Sequence, residues 1–209
     1  MPNPYTSLTA VGWSPRAILD IGGFKGNWTR EVQGLFPSAS VVILEPNAHP
    51  ELRSIGVPVF HDVVSSSVRE VPWYSNLSTG DSLYQERTSH YIGVTPVTRT
   101  TTTLDTLFPT RRFDFVKIDC QGSELDILEG GQTLVAETEV LLLECSFAGQ
   151  YNRGAPSFAD YIRVTDALGF APVDITELHR ANGVLCQIDI LFLRKTSPLW
   201  SRIQTKLTT

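Results

Sequence analysis

Ala17-Ile18-Leu19-Asp20-Ile21-Gly22-Gly23-Phe24-Lys25-Gly26-Asn27-Trp28-Thr29 is the stretch from which the rest of the chain can be read. An apolar run over residues 16–21 leads directly into glycines at 22, 23 and 26. A helix-like pattern over residues 27–36 follows, and Pro37 stops it. Strand, glycine turn and helix in this order make a ligand loop. Glycine allows a ligand to approach the backbone closely, and the helix start offers unpaired N–H groups and a positive dipole end. The spacing is not G-x-G-x-x-G, and no Gly-Lys-Ser/Thr follows, so the loop is neither a dinucleotide fingerprint nor a P-loop. Asp20, just before the turn, would repel a pyrophosphate. It suits instead a ligand that joins a cationic group to a single carboxylate.

Outward from this loop, residues 40–44 form an apolar strand closed by Glu45-Pro46, because proline disfavours helix in the residue before it. Glu45 stands where an acid can accept hydrogen bonds from ribose hydroxyls. Residues 57–64 read as a third strand. Residues 68–74 and 94–103 look extended, with a polar stretch at 75–93 between them that is long for a loop. Alternation then resumes: strand at 113–119, helix at 123–128, strand at 140–144. Ser157 and Asp160 form a capping pair for a helix carrying Phe158, Tyr161, Ile162, Thr165 and Leu168 on one face, and Gly169 closes it. Residues 170–175 and 185–194 make a terminal hairpin around Asn182-Gly183. This pattern predicts an α/β fold: a mostly parallel sheet with helices on both faces and a C-terminal antiparallel hairpin. Ligands of such sheets bind beyond the carboxyl ends of the strands.

Composition narrows the function. Lys plus Arg number 17 and Asp plus Glu 22, a net charge of −5 that argues against a basic nucleic-acid groove. With 42% hydrophobic and 19% charged residues the chain is a folding one. Its 3 cysteines include no C-x-x-C pair, and His49, His61, His90 and His179 lack zinc spacing, so no metal is expected. No basic leader and no membrane-length apolar run is seen, and a cytoplasmic protein without nucleic-acid or membrane partners is expected. At 209 residues the chain reads as a single domain over 1–209. Residues 1–14 are expected as an N-terminal extension, 75–93 as a substrate-side loop and 195–209 as a C-terminal tail.

Several separated pieces resemble the FkbM family of class I S-adenosylmethionine-dependent methyltransferases. They are the loop from Asp20 to Gly26, Leu44-Glu45-Pro46-Asn47, Thr103-Leu104-Asp105, Lys117-Ile118-Asp119-Cys120-Gln121-Gly122-Ser123-Glu124, Leu143-Glu144-Cys145-Ser146-Phe147 and Gln187-Ile188-Asp189 with Phe192. The family usually has Asn where this chain has Phe24. The resemblance implies a Rossmann-like seven-stranded methyltransferase sheet and S-adenosylmethionine as cofactor, whose sulfonium, ammonium and carboxylate match the charge argument above. It implies O-methylation of a hydroxyl on a sugar, polyketide or other small natural product or glycan acceptor. Its expected cofactor residues are Asp20, Gly22, Gly23, Phe24, Gly26, Glu45, Pro46, His61, Asp62 and Asp119.

Lys117, Asp119, Glu124 and Glu144 sit at or just past strand ends and are the expected catalytic group, because carboxylates brought together raise one another's pKa toward that of a general base. Asp119 is the first choice as base, ahead of Glu144 and His179. Asp119, Glu124 and Glu144 also offer hard oxygen ligands, but no spacing motif marks a metal. Tyr84 and Arg87 on one loop, Tyr151 and Arg153 on residues 147–156, and His179 are the expected acceptor contacts. Two other readings compete: a nicotinamide-dependent oxidoreductase, which the glycine spacing and Asp20 oppose, and a non-catalytic protein that kept the cofactor fold.

Overall fold

In the computed structural model, residues 3–148 and 151–208 are described. The outer ends of the expected extension and tail, and Gly149-Gln150 of the second expected acceptor loop, lie outside them. The elements run α1 (Thr6–Thr9), β1 (Ala17–Ile21), α2 (Asn27–Leu35), β2 (Ser40–Leu44), β3 (Val59–Phe60), β4 (Val63–Val64), β5 (Glu70–Trp73), β6 (Val97–Thr102) and α3 (Leu104–Leu107). They continue with β7 (Phe115–Ile118), α4 (Glu124–Glu129), α5 (Gln132–Ala136), β8 (Val140–Ser146), α6 (Phe158–Ala167), β9 (Phe170–Ala181), β10 (Val184–Arg194) and α7 (Leu199–Leu207).

Strand order in the 7-stranded sheet is β3-β2-β1-β7-β8-β10-β9. All pairs from β3 to β8 are parallel, and β10 is antiparallel to both β8 and β9. The chain winds outward from β1 through β2 and β3, then returns to the other side of β1 at β7. The crevice between the β1 and β7 tips is therefore the switch point at which such sheets bind ligands. Alternate residues feed two cores. Leu19, Val116, Ile118 and Leu143 pack on one face under α4 and α6, and Ile18, Phe115, Leu142 and Leu191 pack on the other against α1, α2 and α7. Tyr5, Leu8, Val11 and Trp13 of the expected extension are buried in the second core, as is Leu199 of the expected tail.

Local chemistry explains most boundaries. The capping pair at Ser157 and Asp160 is present as a reciprocal capping box on α6, and Gly169 ends that helix at φ 84°. Asn182 (φ 50°) and Gly183 (φ 82°) both adopt the left-handed backbone of a tight two-residue hairpin turn. One expectation is corrected: residues 57–64 are not one strand. The chain leaves the main sheet after Phe60, where the His61 ring bonds the Glu45 carbonyl at 2.7 Å. Val63–Val64 then joins a 3-stranded sheet of order β4-β6-β5. That small sheet carries residues 75–93 over the crevice. The short helices α3 and α5 escape sequence reading because 4 and 5 residues cannot show a helical period.

Candidate active site

Gly22 and Asp119 face each other across the switch point. At Gly22 (φ +78°) a Cβ would stand 1.9 Å from the Asp119 carbonyl oxygen, so only glycine closes the strand here. Phe24 also lies in the left-handed region, at φ 46°. That conformation costs an L residue of this kind ~1–2 kcal/mol. It aims the Phe24 N–H at Glu45 Oε2, 2.8 Å away, while Glu45 Oε1 accepts from the Asn47 N–H at 2.8 Å. Glu45 is held at the end of β2, and burial pushes its pKa up against these two N–H bonds.

The cleft between these tips is lined by Ile21, Gly22, Phe24, Leu44, Glu45, Pro46, Asn47, Asp62, Trp73, Ser78, Asp81, Asp119 and Ile127, among others. Its lining combines apolar Ile21, Leu44, Trp73 and Ile127 with the carboxylates of Glu45, Asp62, Asp81 and Asp119. Trp73 lines the cleft, and its indole N–H is buried without a hydrogen-bond partner, an exception to the usual pairing of buried polar groups.

Of the expected cofactor residues, Gly22, Phe24, Glu45, Pro46, Asp62 and Asp119 line the cleft. Asp20, Gly23, Gly26 and His61 lie outside that lining. Asp20 is fully buried and accepts from Thr29 Oγ1 at 2.6 Å. A Cβ on Gly23 would meet Ile43, one on Gly26 would meet Ile55, and the His61 ring is spent on the Glu45 carbonyl.

Lys117 and Asp20 are register partners on β7 and β1. The ammonium lies 3.5 Å from Asp20 and 3.1 Å from Asp119. Burial works to lower the Lys117 pKa, but Asp119 and Asp20 outweigh it and the net direction is up. Lys117 therefore holds two carboxylates in place as a permanent cation. Asp119 reaches onward through Gln121, whose side-chain amide donates to Asp119 Oδ1 at 3.2 Å and to Glu144 Oε2 at 2.7 Å. Gln187 in turn donates to Gln121 Oε1 at 3.0 Å. Gln121 takes φ 55° to make this bridge. Glu144 is pushed well up by burial and then by Asp119, Glu124 and Asp189.

Glu124 is a correction among the catalytic expectations. It points into the protein, where its carboxyl takes the Cys120 and Gly122 N–H groups and the Tyr161 hydroxyl at 2.5 Å. Burial pushes its pKa up to about 7. It braces the β7–α4 turn and touches no cleft. Burial likewise drives the Cys120 thiol well up, away from the thiolate form.

The two loops expected to meet an acceptor are zipped together. The Arg87 N–H bonds the Tyr151 carbonyl at 3.0 Å, the Arg153 N–H bonds the Gln85 carbonyl at 2.8 Å, and Asn152 Nδ2 bonds the Tyr84 carbonyl at 3.2 Å. Arg87 and Arg153 line a shallow groove with Glu86, separate from the cleft. The Tyr84 hydroxyl donates to Asp126 at 2.9 Å. His179 lies beside Asp189 at 3.3 Å. The neighbouring Asp189 carboxylate is the largest effect on the His179 pKa and raises it against the downward pull of burial. Sequence reading missed Trp73, Asp81, Gln121 and Asp189. Gln121 stood inside the quoted Asp119–Glu124 motif and Asp189 inside the last motif, whereas nothing in the sequence marks Trp73 or Asp81.

The Methyltransferase FkbM domain profile matches residues 20–172, more than half of the chain. No curated protein sequence matches it. Among solved structures, the chain is similar to the methyltransferase FkbM of Methylobacillus flagellatus KT, with TM-score 0.53 and 14% identity over 85% of this chain and 43% of that one. It is also similar to the 1,6-didemethyltoxoflavin-N1-methyltransferase of Burkholderia thailandensis, solved with 1,6-didemethyltoxoflavin and S-adenosylhomocysteine bound. There the TM-score is 0.51, with 14% identity over 91% of this chain and 76% of that one. At such identities the likeness is one of fold, and the chain spans less than half the length of the Methylobacillus protein. No helix among the described residues is long and apolar enough to cross a membrane. With the profile covering the glycine turn, the Glu45 strand end and the Asp119 turn alike, the chain belongs to the FkbM methyltransferase family.

Proposed function

We propose that this chain is an S-adenosylmethionine-dependent O-methyltransferase acting on a hydroxyl of a small natural product or glycan. The observation that carries this reading is the placement of Asp119: it lines the cleft beside Gly22 and is gripped by Lys117 at 3.1 Å and Gln121 at 3.2 Å. The cleft fits the cofactor's chemistry. Glu45 keeps free lone pairs for ribose hydroxyls after accepting two N–H bonds, since a carboxylate offers about four acceptor sites. Ile21, Leu44 and Ile127 give an apolar bed for a base, and Asp62 offers a polar edge. When bound, S-adenosylmethionine supplies an electrophilic methyl group.

The chain's own part is orientation and proton removal. Lys117 and Gln121 each hold one Asp119 oxygen, so the carboxylate keeps one plane, and a lone pair on it takes the acceptor's hydroxyl proton. Such general-base assistance is worth ~10²–10⁴-fold, and alignment in a fixed cleft contributes further. Asp119→Asn is therefore expected to lower methyl transfer ~10²–10⁴-fold while S-adenosylhomocysteine affinity holds within a few fold. Label transfer from methyl-labelled donor to a panel of hydroxyl compounds, with calorimetry on the variant, checks both. The reading fails if NADH alone stabilises the protein in a melt, or if the variant turns over at the wild-type rate.

A further inference from the structure

Beyond Asp119 the sheet carries a second group that the proton-transfer scheme does not use. Glu144 on β8 and Asp189 on β10 are register partners across an antiparallel pair. Like charges placed directly opposite repel. Glu177 on β9 faces Asp189 in turn, and His179 Nε2 stands 3.3 Å from Asp189 Oδ1 and 3.6 Å from Glu177. One ligand atom each from Glu144, His179 and Asp189 lies within 4.8 Å of the other two. Asp189 Oδ1 is buried without a hydrogen bond of good geometry, in a residue only 7% exposed. Among the described residues, Lys117 is committed to Asp20 and Asp119, and His179 is the basic group that pairs with Asp189 and Glu177.

From this geometry we infer that Glu144, His179 and Asp189 form a site for one divalent transition-metal ion, of which Mn²⁺ is the working representative. Ligands at about 2.1 Å around an octahedral ion stand roughly 3 Å apart when adjacent and roughly 4.2 Å apart when opposite. The 3.3 Å between His179 Nε2 and Asp189 Oδ1 is close to the adjacent spacing, and all three ligand atoms lie within 4.8 Å of one another. Two carboxylates with one imidazole suit Mn²⁺, Fe²⁺ or Zn²⁺ better than Mg²⁺, which prefers an all-oxygen set. The ligands sit on three hydrogen-bonded strands, the rigid mounting such a site requires. A surface cleft lined by Tyr5, Trp28, Glu31, Thr176 and Glu177 leads to Asp189 and gives an ion its way in. The Gln121 amide already bonds Glu144 and Asp119, and it serves as the outer partner that orients one ligand. The role of the ion, binding the acceptor oxygen beside Asp119, rests on the methyl-transfer reading, whereas its binding does not.

The test therefore uses neither cofactor nor acceptor. The full chain, stripped with chelator and dialysed, is titrated with MnCl₂ while free Mn²⁺ is followed by electron paramagnetic resonance. The wild type is expected to take up one Mn²⁺ per chain, with Mg²⁺ at least about tenfold weaker. His179→Gln and Asp189→Asn are each expected to weaken Mn²⁺ by about tenfold or more. Pulsed measurement on the wild-type complex should show nitrogen coupling from one imidazole, which keeps the test valid where a variant does not fold. No uptake by the wild type, equal affinity in both folded variants, Mg²⁺ as tight as Mn²⁺, or absent nitrogen coupling would each overturn the site.

Discussion

The two sides of Asp119 are built from different material. Toward the glycine turn the site is main chain: the close approach at Gly22, the N–H groups of Phe24 and Asn47, and one strand-end carboxylate that gathers them. Toward the hairpin it is side chain: Gln121, Glu144, His179 and Asp189, far apart in sequence, meet through antiparallel register. A site made of backbone tolerates new side chains and fails when the path of the chain changes. A site made of side chains behaves the other way round.

Substitutions can separate the two halves. Gly22→Ala should be the most damaging to the first half. Relieving a Cβ only 1.9 Å from the Asp119 carbonyl costs about 3 kcal/mol at the upper end of overpacking, or ~100-fold in cofactor affinity. Calorimetry with S-adenosylhomocysteine reads that loss, and an unchanged constant would dissolve the contrast.

A pH effect of similar size belongs to the turn that both halves share. The folded Glu124 pKa of about 7 lies above its ordinary 4.5, so the folded state holds this proton more tightly than the unfolded chain does. Its contribution is complete below the ordinary value and is lost as pH rises through 7, by about 3 kcal/mol in all. Urea unfolding at pH 5 and pH 8 should show the fall, and Glu124→Gln should flatten it.

Gln121→Ala cuts the link between the halves. Losing hydrogen bonds to carboxylates worth ~1.5–3 kcal/mol is expected to lower kcat about tenfold or more, with cofactor KM unchanged. A rise in cofactor KM at constant kcat would place Gln121 in the first half instead. The smallest effect is assigned to Trp73→Phe, which keeps an aromatic ring in the cleft lining and removes one buried, unpartnered donor. It should weaken S-adenosylhomocysteine about threefold to tenfold, and a tighter complex would show that the N–H is not used.

Legibility in the sequence followed the same division. The strand-turn-helix at Gly22, the proline after Glu45 and the capping pair at Ser157 act over a few residues, and they appear where local chemistry puts them. The hairpin was legible for the same reason, through Asn182-Gly183. The break between β3 and β4 was not, because residues 57–64 satisfy a strand pattern throughout and a distant contact at Glu45 decides where pairing switches. Among site residues, Asp119 and Glu45 were read from their strand ends. Glu124 was misplaced because the first turn of a helix can face either the cleft or the core, and the Tyr161 hydroxyl that turns it inward lies 37 residues away. Trp73 and Asp81 had no signal, since a pleat in a second sheet and a loop carboxylate gain their positions only from the assembled fold.

Asp81 also bears on engineering. This carboxylate collects the Asn76, Leu77 and Ser78 N–H groups, the Ser75 and Tyr91 hydroxyls and the Asn47 amide. All but the Asn47 contact lie within residues 75–91, so the segment that roofs the cleft carries most of its own fastening with it. A graft between relatives that moves the whole stretch with Asp81 keeps this knot, but it also needs the Asn47 amide, Asp126, the Cys120 and Gln121 carbonyls and residues 151–153 to receive it. A chimera joined between residues 78 and 81 would sever the fastening from what it fastens.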